Sequence, residues 1–171
     1  SVPGYELIMP MGGLIAARHM GANGTAFDLG CSLGASSLAL LSQCDSPSVR
    51  VIGVDNSAAM IKQAEENVGD PRLSFRCEDL MQSDVSGANV VMLNFVMQFL
   101  APHQRADLLT QIANCMDPSG LLILSEKVRD EEPQKQAFYD STHLAWKRAN
   151  GYSELEVSQK RQALENVMHV E

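Results

Sequence analysis

Short, almost wholly apolar runs alternate along this chain with longer stretches in which apolar residues recur every three or four positions. The runs at 26–30, 50–55, 73–77, 89–95 and 121–126 predict β-strands. Asn89-Val-Val-Met-Leu-Asn-Phe95 has too few polar positions for a half-solvated strand, so it is expected to be covered on both faces. A first helix should follow Gly34, carrying Leu38 and Leu41. A second starts near Asn56-Ser57, which can cap it, and is expected to bury Met60, Ile61, Ala64 and Val68. A third begins at Pro102, a residue suited to the first helical position, and packs Leu108, Leu109, Ile112 and Met116. Asp117-Pro-Ser-Gly120 reads as the turn before the last strand. Beyond it the pattern becomes helical only, over 132–149 with Phe138, Ala145 and Trp146 on one stripe, and again over 154–168, which is rich in Glu, Lys and Arg.

Alternating strands and helices predict a doubly wound α/β domain with a mostly parallel sheet and right-handed crossovers. Ligands of such sheets bind beyond the carboxyl ends of the strands. Those ends carry Gly30-Cys31-Ser32, Asp55-Asn56, Glu78-Asp79 and Asn94, which places four polar clusters on one crevice.

The chemistry of the crevice follows from its spacing. Ala26-Phe-Asp-Leu-Gly-Cys-Ser-Leu-Gly34 runs from a strand into a glycine turn, and Asp55 closes the next strand about 20 residues later. A dinucleotide fingerprint would place its three small residues at Gly30, Ser32 and Ala35. The middle position must be glycine for the backbone to approach a pyrophosphate, and here it is Ser32. S-adenosylmethionine carries no phosphate. Its ribose hydroxyls would pair with Asp55 and its sulfonium end would lie against the turn. Asp28 reads either as a cofactor residue or as an acceptor for the turn's backbone amides. Asn94, an amide inside an apolar strand, needs a partner in a ligand or a neighbouring loop. Cys31 reads as a small residue that fits the turn; no histidine close in sequence would activate it.

Composition narrows the partners. A net charge of −8 favours a small-molecule substrate over direct nucleic-acid binding, which calls for a basic face. No apolar run approaches the roughly 20 residues needed to span a bilayer, so no membrane association is expected. Cys31, Cys44, Cys77 and Cys115 are scattered without a C-x-x-C pair and read as reduced thiols of a cytoplasmic protein. The four histidines are equally dispersed, and no metal site is expected.

Several segments together resemble one family. Ser1-Val-Pro-Gly-Tyr5, Asp28-Leu-Gly-Cys-Ser-Leu-Gly34, Asp55-Asn-Ser57, Leu93-Asn-Phe95, Leu124-Ser-Glu-Lys127, Lys147-Arg-Ala-Asn-Gly-Tyr-Ser-Glu-Leu-Glu156, Ser158-Gln-Lys-Arg161 and Leu164-Glu-Asn-Val-Met168 are similar to the carboxy-S-adenosyl-L-methionine synthases. The match from Lys147 onward is far more specific than the glycine turn. The resemblance implies a class I methyltransferase-like (Rossmann-like) fold that transfers no methyl group. It implies conversion of S-adenosyl-L-methionine and prephenate to carboxy-S-adenosyl-L-methionine and phenylpyruvate. A downstream enzyme then uses that product to carboxymethylate 5-hydroxyuridine at the tRNA wobble position, uridine 34. The cofactor contacts it implies are Tyr5, Gly30, Cys31, Ser32, Asp55, Asn56, Asp79, Leu80 and Asn94. Asp55 would take the ribose, and Asp79-Leu80 would flank the adenine. Tyr5 is singled out by the resemblance alone. The family binds the product's new carboxylate with an arginine further toward the C-terminus, for which no residue of this chain is named. A clamp for prephenate's carboxylates at Lys147-Arg148 or Lys160-Arg161 stays open beside the reading of both pairs as solvated helix faces.

Residues 1–171 are thus expected to form a single, incomplete S-adenosylmethionine-binding domain whose final strands are missing. Its 132–168 segment would act as a helical lid or dimerisation element, since the family is homodimeric. The rival reading is an ordinary S-adenosylmethionine-dependent methyltransferase acting on tRNA or a small molecule. The catalytic base is not identified.

Overall fold

A computed structural model describes residues 4–156 and 158–159. Five parallel strands, β1 (Thr25–Leu29), β2 (Arg50–Asp55), β3 (Leu73–Cys77), β4 (Val90–Asn94) and β5 (Leu121–Ser125), form one sheet in the order β3-β2-β1-β4-β5. Every neighbouring pair runs parallel, in registers that align Leu29 with Val54 and with Leu93, and Asn94 with Ser125. The reversal of strand order between β1 and β4 makes the sheet doubly wound, and all five carboxyl ends lie on one edge.

Alternation along the strands splits the core in two. Phe27, Leu29, Ile52, Val54, Val91 and Leu93 face one layer with Leu108 and Ile112 of the helix α4 (Pro102–Cys115). Ala26, Val51, Val90 and Met92 face the other, against Ala16 and Met20 of α1 (Tyr5–Met20) and Leu40 and Leu41 of α2 (Ala35–Leu41). Central strands covered twice are therefore apolar at nearly every position, which is the pattern that made β4 legible.

Helix α1 is not expected from the sequence, because Pro10, Gly12 and Gly13 interrupt its pattern. The structure gives the glycine a reason. A Cβ on Gly13 would lie 2.5 Å from the Ala39 carbonyl, so α1 and α2 touch backbone to backbone at that point. A residue that weakens a helix in isolation here lets two helices close.

Helix α3 (Ala58–Asn67) is capped by the Ser57 hydroxyl, which accepts from the Met60 amide at 3.4 Å, and it buries Ile61 and Ala64. Met60 and Leu38, by contrast, are 40% and 41% exposed. Met60 sits in the first turn of α3, where its sulfur meets the Ser32 hydroxyl at 3.8 Å instead of the core. In the 117–120 turn Asp117 accepts from the Ser119 amide at 2.8 Å. Helix α5 (Pro133–Ala149) buries none of its residues; Phe138 is exposed, while Trp146 is half-buried. Residues 154–156 and 158–159 are helical, and the rest of the 154–168 stretch, with Lys160-Arg161, lies outside the described residues. Among the described residues no helix is long and apolar enough to cross a membrane.

Candidate active site

The glycine turn after β1 is built by positive backbone angles. Gly30 (φ 75°) and Gly34 (φ 82°) adopt left-handed conformations, and so does Ser32 (φ 49°). Gly30 is also sterically fixed: a Cβ there would stand 2.5 Å from a Val96 methyl. The Gly30 and Cys31 amides donate to the Val54 carbonyl at 2.8 and 2.9 Å, which anchors the turn to β2.

Asp55 joins two elements. Its Oδ2 accepts from the Ser32 amide at 3.0 Å and its Oδ1 from the Ser57 amide at 2.9 Å. One carboxylate thus holds the glycine turn and the start of α3 at a fixed separation. Each oxygen retains a further lone pair for a ligand hydroxyl. Asn56 beside it is exposed.

Asp28 proves to be a structural acceptor. Its Oδ2 takes the Ser37 amide at 3.0 Å and the Ser37 hydroxyl at 2.7 Å, tying the first turn of α2 to β1. Burial pushes its carboxyl up to about 6, against the lowering effect of both Ser37 bonds. The Cys31 thiol is raised far above the thiol range by burial and by the Asp28 and Asp55 charges. Such a thiol is inert, in keeping with its reading as a small packing residue.

The remaining positions lie along the same edge. Asp79 caps the 3₁₀ turn Leu80–Gln82 by accepting from the Met81 amide at 2.9 Å, and Leu80 packs half-buried against the core. Asn94 Nδ2 donates to the Ser36 hydroxyl at 3.1 Å, so α2 supplies the partner that its amide group requires. Tyr5 reaches the edge through its ring, stacked on Phe95 with centroids 6.2 Å apart. Burial, then the Asp28 charge, raises its phenol above the ordinary value. The structure therefore gathers Tyr5, Gly30, Cys31, Ser32, Asp55, Asn56, Asp79, Leu80 and Asn94 at one rim.

Two groups at this rim escaped the sequence reading. Glu126 directly follows β5; its Oε1 accepts from the Met97 amide at 2.6 Å, whereas its Oε2 is buried without a partner. Gln98, 5% exposed, donates to the Phe95 carbonyl at 2.8 Å and leaves its own Oε1 unpartnered. The signal was present in Gln98, a polar residue inside the apolar stretch 95–100. A concavity of about 600 Å³ lined by Cys44, Asp45, Arg50, Asp70 and Arg72 lies at the amino ends of β2 and β3, opposite the rim. Its Arg72 is consumed by Asp70 and by the Cys44 carbonyl, so we do not assign it a ligand.

Comparison with known proteins agrees with this geometry. Residues 26–120 match the family model described as methyltransferase domain. The carboxy-S-adenosyl-L-methionine synthase of Marinobacter nauticus is 46% identical over 98% of this chain and 69% of its own length. That of Shewanella denitrificans is 45% identical over 100% of this chain and 72% of its own length. Among solved structures, the mitomycin 7-O-methyltransferase MmcR superposes with a TM-score of 0.60 at 22% identity, over 77% of this chain and 40% of that one. That likeness establishes the class I methyltransferase fold.

Proposed function

This chain belongs to the carboxy-S-adenosyl-L-methionine synthase family, and on that premise we propose that it converts S-adenosyl-L-methionine and prephenate to carboxy-S-adenosyl-L-methionine and phenylpyruvate. The product would supply the donor for carboxymethylation of tRNA uridine 34 by a separate enzyme, in the cytoplasm. The observation that carries the reading is the Asp55 carboxylate, braced by two backbone amides at a rim rich in acceptors. A sulfonium nucleoside has a positive charge, two ribose hydroxyls and an exocyclic amine, and a rim of acceptors complements all three.

In this reading Asp55 takes the ribose hydroxyls and Asp79-Leu80 flanks the adenine. Gly30, Cys31 and Ser32 line the sulfonium end, Asn56 stands with Asp55, and Asn94 and Tyr5 close the site from the β4 side. The S-methyl carbon loses a proton to become a ylide, stabilised by the adjacent positive sulfur. Prephenate loses its ring carboxylate as carbon dioxide and its ring hydroxyl as hydroxide, which aromatises the ring. The ylide carbon forms a bond to carbon dioxide, and the proton and hydroxide leave as water. Shielding from bulk water protects both reactive species. The 132–168 segment would serve as the lid and as the contact of a homodimer.

Incubation of the full chain with S-adenosyl-L-methionine and prephenate tests the proposal. The expected product is an S-adenosyl derivative heavier by one carboxyl group, formed in step with phenylpyruvate. S-adenosylhomocysteine together with a methylated tRNA or small molecule would instead identify an ordinary methyltransferase.

A further inference from the structure

Phe95, the residue that follows β4, is held in a conformation that its side chain disfavours. Its φ is 62°, and among the described residues Ser32 is the one other non-glycine residue with a positive φ. A bulky residue in the left-handed region is strained, whereas glycine occupies it freely. Three contacts hold the turn there. The Phe95 amide donates to the Ser125 carbonyl at 2.7 Å, and the Phe95 carbonyl accepts from Gln98 Nε2 at 2.8 Å. Two residues on, the Met97 amide donates to Glu126 Oε1 at 2.6 Å, which ties the same turn to the end of β5. Gln98 and Glu126 each bury a second oxygen without a partner, so stability alone would not select this clamp. Strain of this kind persists only where surrounding contacts over-determine it, and it gathers at ligand sites.

The strained backbone places a ring. Phe95 stacks on Tyr5, with the ring planes inclined by 29° and the centroids 6.2 Å apart. Tyr5 is the first residue of α1, and Met9 lies one turn further along the same side. The Ser36 hydroxyl donates to Met9 Sδ at 3.2 Å and accepts from Asn94 Nδ2 at 3.1 Å. Both links end on neighbouring residues, Asn94 and Phe95. The first two turns of α1 are therefore latched onto the carboxyl end of β4, while Ala16 and Met20 anchor the far end of the helix in the core.

We infer that Phe95 is a positioning residue for the nucleoside: clamped by Ser125, Gln98 and Glu126, its ring sets Tyr5 against the bound S-adenosyl-L-methionine. The inference rests on the nucleoside reading of the rim and adds to it how Tyr5 is placed. Glycine at position 95 would form the turn without strain and leave the Tyr5 ring without a platform. A strained aromatic residue supplies both.

The test is a double-mutant cycle in the full chain, read by calorimetry with S-adenosyl-L-methionine on variants that melt cooperatively. Phe95→Gly keeps the backbone conformation accessible and removes the ring. It should weaken binding about 3–10-fold, the range set by the loss of one aromatic pair. Phe95→Tyr keeps the ring and should bind within about 2-fold of the wild type. Tyr5→Leu should weaken binding about 10-fold, and Phe95→Gly added to it should cost nothing more, because the ring acts only through Tyr5. If Phe95→Gly fails to fold, Phe95→Leu runs the same cycle with most of the apolar volume kept. An undiminished effect of the Phe95 variant in the Tyr5→Leu background, or no effect in the wild type, would overturn the inference. Hydrogen exchange on the free protein separates it from the nucleoside reading. The Ile8 amide donates to the Gly4 carbonyl in the first turn of α1, and it should exchange about 3–10-fold faster in Phe95→Gly. If the wild type binds no S-adenosyl-L-methionine yet this exchange still depends on Phe95, the latch on Tyr5 stands and the nucleoside reading falls. Exchange that is indifferent to Phe95 would overturn the latch itself.

Discussion

The rim beyond β1, β2 and β3 and the rim beyond β4 and β5 meet their polar groups in opposite ways. On the first side the chain's own backbone engages the acceptors. Asp28 takes Ser37, Asp55 takes Ser32 and Ser57, and Asp79 takes Met81. On the second side Gln98 Oε1 and Glu126 Oε2 are buried without partners. Glu78 Oε1 is the exception on the first side, and there the Arg76 guanidinium lies 3.9 Å away. The first rim is thus a mould finished before any ligand arrives. The second holds a desolvation cost that only an incoming molecule or water can relieve. A cofactor common to the whole fold class suits the finished half, and a substrate particular to one family suits the unfinished half.

The largest effect that can break this contrast lies in packing. Leu93 on β4 is fully buried in the layer that holds Leu108 and Ile112, whereas Leu124 on β5 is 46% exposed. Leu93→Ala should cost about 2–5 kcal/mol in denaturant unfolding, and Leu124→Ala about 0.5 kcal/mol or less. Similar losses at the two positions would show that β5 is as well covered as the central strands, and the asymmetry would be lost.

Next comes the buried carboxyl of Asp28, which releases its proton near pH 6 in the fold and near pH 4 in the unfolded chain. Between those values the folded state holds more protons at this site, so the contribution of Asp28 to stability falls as pH rises from about 4 to about 6 and then levels off. The full change is about 3 kcal/mol on the scale of 1.36 kcal/mol per pH unit. Asp28→Asn should remove this slope from a melting series across that window. An Asp28→Asn protein with an undiminished slope would place the titrating group elsewhere.

Asp55→Ala follows. It removes the acceptor of two backbone amides, so it should loosen the turn by about 1–3 kcal/mol as well as lower S-adenosyl-L-methionine affinity about 100-fold or more. Calorimetry with the nucleoside checks the second figure. Retained affinity would show that the sugar is held elsewhere.

The two halves were also unequally legible. The finished half announces itself over short distances: a glycine turn, an aspartate at the end of the next strand, a serine cap at Ser57. These are local backbone requirements, and composition at a fixed spacing reports them. What stayed hidden depends on contacts far apart in the chain. Helix α1 reads as broken at Gly12-Gly13 until Ala39 is seen against it. Met60 fits the helical pattern of a core residue and is turned outward by its position beside Ser32. Ser36 as the partner of Asn94, 58 residues away, leaves no trace in either segment. Neither does Glu126 reaching back 29 residues to the Met97 amide.

The smallest expected effect probes the unfinished half directly. Glu126→Gln keeps an oxygen for the Met97 amide and replaces a buried, unpartnered carboxylate oxygen with a neutral amino group. A carboxylate left partly unsatisfied contributes little that the amide would lose, and its burial cost disappears with the charge. Stability should therefore change by no more than about 0.5 kcal/mol, in either direction, in thermal or denaturant unfolding. The same exchange on the finished side, Asp55→Asn, breaks one of two amide bonds and should cost more. If Glu126→Gln proves the more damaging of the two, its outer oxygen is already satisfied in the free protein. The rim beyond β4 and β5 would then be as complete as its neighbour, with nothing held in reserve for a substrate.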